Sequence, residues 1–159
     1  MRSLKLAWSL VALLTLVVAF FAYKFTAGEA QPSQDGRLEI QLTPDERNTF
    51  LLEMRTWMQS TQAIMAALSQ EDYATVAKLA KAAGMEVEEA TPAVMFKKIP
   101  LPMKKLGFDT RAQFDAIAAD AGQKNMQRTL GQLGQAMNNC IACHATYRFS
   151  DGLVGQAGR

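Results

Sequence analysis

Cys140, Cys143 and His144 stand together in the stretch NNCIACHATYR, residues 138 to 148, and they are the only cysteines and the only histidine in the chain. Two thiols three residues apart, followed at once by an imidazole, could hold a metal, form a redox dithiol or a disulfide, or attach a prosthetic group. A zinc site takes four ligands, and no second Cys or His cluster is present to complete it. A thioredoxin-like dithiol sits at a helix N-terminus after a strand, where the dipole lowers the thiol pKa, whereas these cysteines fall late in a helical pattern. A structural disulfide gives His144 no task.

In an exported protein, C-x-x-C-H marks covalent haem attachment: two thiols add to the two vinyl groups and the adjacent imidazole binds the iron. Thiols three residues apart share one side of a helix turn, as two vinyl groups on one porphyrin edge require. His144 then lies close enough to reach the iron.

The N-terminus supplies the export. Arg2 and Lys5 precede an uncharged run from Leu6 to Tyr23, the layout of a signal sequence. Eighteen residues make about 27 Å of helix, close to the bilayer core, and this favours a retained anchor over a cleaved signal peptide. Small residues in GEA before Gln31 keep cleavage after Ala30 as the alternative. The two cations put the N-terminus in the cytoplasm and the rest on the far side. The expected location is therefore the periplasmic side of a bacterial inner membrane, or the soluble periplasm if Ala30 is a cleavage point.

Of the 17 basic and 15 acidic residues, three and one respectively precede residue 31, which leaves 14 of each in the body. A neutral body without a basic run speaks against nucleic acid as a partner. Lys97, Lys98, Lys104 and Lys105 bracket IPLP and could form a docking patch for an acidic protein, although such pairs are more often a solvated face.

The elements that must position the motif follow from periodicity. Residues 31–42 carry Gly, Pro, Ser and Asp and read as a tether; RLEIQL alternates like a strand but is too short and solitary to build a sheet. Thr43, Pro44 and Glu46 form a helix start, and Phe50, Leu51, Met54, Trp57, Met58, Thr61, Met65 and Leu68 draw one apolar stripe to about Leu68. Ser69 is expected to cap a second helix that Gly84 ends. Residues 85–108, with Pro92, Pro100 and Pro102, read as a crossover with a short helical possibility over 93–98. A third helix is expected from Asp109 or Thr110, with Gln113 completing a capping box. The last is expected over 122–149, with Met126, Leu130, Leu133, Met137, Cys140 and His144 on one face pointing inward. The fold class predicted is all-α: a four-helix bundle over 43–159 with covalently bound haem, preceded by an N-terminal transmembrane or signal helix over 1–30.

CIACHATYR near the C-terminus, the leading helix, the Pro-containing crossover and FDAIAADA before the last helix resemble the cytochrome c′ family, including its low-spin relatives, over about residues 43 to 149. The resemblance implies one haem c held through Cys140 and Cys143 with His144 as proximal ligand. It matches Tyr147 and Arg148 to the family's aromatic and Arg after the motif, the Arg lying near the haem. It also implies a tendency to form homodimers.

The sixth coordination position decides between functions. Bis-histidine ligation is excluded, because no second histidine exists. The family takes its distal residue from the first helix, and in an up-down bundle the start of that helix lies at the same end as the motif. Leu51, Met54 and Met58 are thus the candidates. Met54 comes first, since its thioether can ligate iron and it follows the helix start by about the family's spacing. His–Met ligation implies an electron carrier with redox proteins as partners, whereas an open iron beside Leu51 implies a binder of nitric oxide or carbon monoxide. No second titratable cluster accompanies the motif, so an enzymatic role is not expected.

Overall fold

The structure, a computed structural model, describes residues 2–86 and 93–150. Residues 87–92 of the expected crossover, including Pro92, and residues 151–159 of the expected bundle domain lie outside the described residues. The described chain is mostly helical, as expected from its periodicity.

Helix α1, Arg2–Ala27, is apolar, with a mean hydropathy of 2.3 over Lys5–Ala27, and none of that span is buried against the protein. It is long and apolar enough to cross a membrane, a property that signal sequences share.

The segment read as a tether is folded. Strand β1, Ala30–Pro32, pairs antiparallel with β2, Leu38–Ile40, through a turn in which Gly36 takes a positive φ of 84°. β2 also pairs in parallel with β3, Tyr147–Phe149, in the register Leu38 to Tyr147, Glu39 to Arg148 and Ile40 to Phe149. RLEIQL is therefore the central strand of a three-stranded sheet, and the expectation of no strand is corrected. A three-residue strand cannot stand alone, but β3 supplies the missing partner from more than a hundred residues away. Ile40 and Leu42 are buried, and Ser150 Oγ accepts from Leu42 N at 3.2 Å.

Helix α2, Pro44–Ser69, starts on the expected capping box: Glu46 N donates to Thr43 Oγ1 at 3.4 Å and Thr43 N donates to Glu46 Oε2 at 2.8 Å. Its buried line runs through Phe50, Thr61, Ile64 and Leu68, which leaves Met58 and Met65 exposed. Ser69 closes α2 instead of capping the next helix. Glu71 turns the chain with a φ of 55°, and Asp72 caps α3, Tyr73–Ala83, by accepting from Thr75 N at 3.0 Å. Gly84 ends α3 as expected.

The short helix α4, Ala93–Lys98, falls on the expected residues. Helix α5, Leu101–Asp120, begins eight or nine residues earlier than expected. Pro100 and Pro102 do not break it, because a first-turn N–H has no intrahelical acceptor and proline loses nothing there. Thr110 is accordingly an interior residue whose hydroxyl donates to the Leu106 carbonyl at 2.7 Å. A 3₁₀ turn over Ala121–Gln123 and a left-handed Lys124 lead to Asn125, which caps α6, Met126–Thr146. The chain is extended over Tyr147–Phe149, not helical to Phe149 as expected.

α2 packs on α3, α3 on α5 and α5 on α6. One apolar cluster joins Ile64, Leu68, Val76, Phe114, Ile117 and Leu133 at the far end of these helices. A second joins Ile40, Leu42, Phe50, Met95, Ile99, Met103 and Tyr147 around the sheet, with Cys143 packed against it. The sheet therefore builds the floor on which the end of α6 rests.

Candidate functional site

A cleft of about 690 Å³ opens between α2, α4, α5 and α6, within the range of roughly 300–1,000 Å³ in which cofactor pockets fall. From α6 it is lined by Met137, Cys140, Ile141, Cys143 and His144. From α2 come Phe50, Leu51, Met54, Trp57 and Met58, and from α5 Met103, Lys104, Leu106, Phe108 and Arg111, with Phe96 of α4 beside them.

The expected inward stripe of α6 is shifted by part of a turn. Thr129, Leu133 and Ala136 face the helix neighbours, while Met137, Cys140 and His144 edge the cleft. The rim is unusually apolar for a water-facing surface: Met58 is 66 % and Ile141 64 % exposed. Bulky apolar side chains gathered around an open groove mark an interaction or ligand-binding surface.

Both thiols are unpaired and half-buried. Burial pushes the Cys140 thiol up, and pushes Cys143 up to about 11, with the neighbouring Cys140 adding to the effect. A three-residue spacing on α6 presents them to one groove, and His144 follows at the exposed end of that face. Among the described residues no three His, Cys, Asp or Glu side chains converge as a bare metal ion would need.

The main chain of His144 is tied to the sheet. Arg37 Nη1 donates to the His144 carbonyl at 3.3 Å, while Arg37 Nε and Nη2 donate to Asp35 Oδ2 at 2.9 and 2.6 Å. Sequence reading missed this clamp, because Arg37 lies in a stretch that composition assigns to a linker.

Leu51, Met54 and Met58 all line the same cleft as His144. Met54 is half-buried and Met58 largely exposed. Tyr147 is buried in the floor beneath Cys143. Arg148, matched by resemblance to a residue near the haem, is not among the lining residues; its side chain reaches Glu39 Oε2 at 3.3 Å and Asp35 Oδ2 at 3.6 Å on the sheet.

The four lysines around IPLP do not form one surface. Lys98 donates to Glu46 Oε2 at 2.8 Å in a half-buried pair, and Lys104 is buried at the cleft, so only Lys97 and Lys105 face solvent. Arg111, also unremarked in the sequence, is buried on the cleft wall, where it pairs with Glu53, donates to the Gly84 carbonyl at 3.1 Å and lies 5.1 Å over the Trp57 ring. Set against known protein families, curated proteins and solved structures, the chain matches none of them.

Proposed function

We propose that the protein is a monohaem c-type cytochrome, a four-helix bundle of the cytochrome c′ kind, that carries electrons on the periplasmic side of the membrane in which α1 anchors it. The observation that supports this reading is the meeting of Cys140, Cys143 and His144 on an apolar cleft whose α2 wall carries Leu51, Met54 and Met58. The residues fit the group. The groove has cofactor volume, both sulfurs are free, and an exposed apolar rim awaits cover.

Each thiol would add across a vinyl group, its sulfur bonding one carbon and its proton going to the other, with no oxidant needed. Once made, the thioethers would fix the group to α6. His144 and Met54 would hold the iron, a ligand set that stabilises its reduced form. When bound, the haem supplies a one-electron couple. With the group seated, the apolar side chains of the walls would leave little solvent to reorganise when charge changes. Anchoring would keep the domain near membrane-bound redox proteins, which raises its effective concentration toward them.

A second reading, reversible binding of nitric oxide or carbon monoxide at an open iron, draws on Phe50 and Leu51, which put apolar side chains beside Met54 on the same wall. Absorption spectra of the chain matured with a cytochrome c assembly system separate the two. A low-spin parent indifferent to carbon monoxide, with a Met54→Ala variant that becomes high-spin and reactive, supports electron transfer. A reactive parent supports gas binding. A matured chain without a covalent haem band overturns both.

A further inference from the structure

The cleft contains two buried cations on α5, Lys104 and Arg111, two turns apart. Arg111 has its anion in Glu53. Lys104 is only 5 % exposed, and among the described residues its Nζ has no hydrogen-bond partner. What it does have is aromatic: Nζ stands 4.4 Å over the Phe25 ring and 5.1 Å from the Phe96 ring centre. Ring faces attract a cation but accept none of its three N–H bonds in the way a carboxylate does. A desolvated ammonium is costly unless an anion meets it, and the one carboxylate lining the cleft, Glu53, is already paired with Arg111.

We propose that Lys104 is the seat of a carboxylate of the prosthetic group, pairing with one of the two propionates that a haem in this cleft carries. The inference rests on the haem reading of the site. Phe25, in the last turn of α1, lies over the ammonium from outside the bundle, so the end of the membrane helix roofs the ion pair and shields it from water. The anchor thereby becomes part of the cofactor site, which explains why a lysine is tolerated there at all. Burial lowers the pKa of Lys104, in keeping with a charge that lacks its partner.

The test uses the full chain, matured with haem and purified in detergent, as parent, Lys104→Met and Lys104→Arg. A cation beside the haem favours the ferrous state, which has one positive charge fewer. Lys104→Met is therefore expected to lower the reduction equilibrium constant about tenfold, a fall of about 59 mV for one electron, and Lys104→Arg to restore it. Resonance Raman of the parent should place the propionate bending band at the position of an ion-paired carboxylate, and Lys104→Met should move it. A haem-loaded Lys104→Met with the parent's potential and an unmoved band overturns the pairing while leaving the haem reading intact. Should Lys104→Met fail to accumulate, the parent's band decides alone: the position of a solvated carboxylate overturns the proposal. A parent that never acquires covalent haem removes the premise and the proposal with it.

Discussion

Arg37 donates from its guanidinium to the main-chain carbonyl of His144 at 3.3 Å, across 107 positions of sequence. The last carbonyls of a helix have no intrahelical donor and carry the negative end of its dipole, so a cation there satisfies a group and offsets a charge at once. Asp35 holds the guanidinium in place, and its carboxyl in turn is held well below the usual range by Arg37 and by the Ser33 hydroxyl. Arg37→Gln should therefore lower the denaturant stability of the chain in detergent by about 0.5 kcal/mol, and Arg37→Lys should recover part of it. A loss of nothing would mean that the exposed guanidinium is too well solvated to matter.

The sheet below that clamp depends on Ile40, which is fully buried among Leu42, Phe50 and Tyr147 and is paired in register with Phe149. Removing three carbons from such a site leaves a cavity that a three-stranded sheet cannot collapse around. Ile40→Ala is expected to cost about 2–5 kcal/mol, measured by urea unfolding followed by far-UV circular dichroism. Because β3 follows directly on His144, the same variant should also reduce the yield of haem-loaded chain. Normal yield with lowered stability would separate the sheet from the site.

What the sequence disclosed, and what it hid, follows from range. The Thr43 and Glu46 box, the Gly84 stop and the short helix at Ala93 depend on neighbours within a few residues and could be read directly. The presence of α2 side chains Leu51, Met54 and Met58 in one cleft with His144 was also legible, because helix order in a bundle constrains which ends meet. The start of α5 was hidden by treating Pro100 and Pro102 as breakers when they occupy the one place that tolerates them. The strand at Leu38 was hidden because its partner, Tyr147, was counted as helix. Lys104 was hidden more deeply still: lysine is a surface residue by default, and only the tertiary approach of Phe25 and Phe96 encloses it.

Gly28 makes the join between membrane helix and domain. It adopts a φ of 62°, and a Cβ there would stand 2.7 Å from Pro100 N and closer still to the Lys98 carbonyl. The next residue extends the contact, since Glu29 N donates to that same carbonyl at 2.7 Å. Both the left-handed backbone and the close approach call for glycine. Gly28→Val should release the join at a strain of roughly 1–2 kcal/mol from the backbone alone. In detergent, limited proteolysis should then cut between Lys24 and Leu42 faster than in the parent. An unchanged cleavage rate would show that β1 pairing alone holds the segment.

Glu46 serves two elements, as the capping-box acid of α2 and as the partner of Lys98 at the end of α4. Lys98 is the main cause that lowers its pKa below the model-compound 4.5, with the Thr43 N–H and hydroxyl adding to it. A carboxyl whose folded pKa is depressed contributes stability that is complete above its unfolded pKa and is lost as pH falls through the folded one. The contribution is therefore whole at pH 7, begins to decline below about 4.5 and vanishes when the group is protonated in both states. Glu46→Gln keeps a capping-box acceptor but removes the charge opposite Lys98, and should cost up to about 1 kcal/mol at pH 7, with both charged partners more than three-quarters buried. The gap between parent and variant should close on titration to below the folded pKa, so unfolding curves taken at neutral and at strongly acid pH are the measurement. A gap that persists in acid would assign the loss to packing of the Glu46 side chain rather than to its charge.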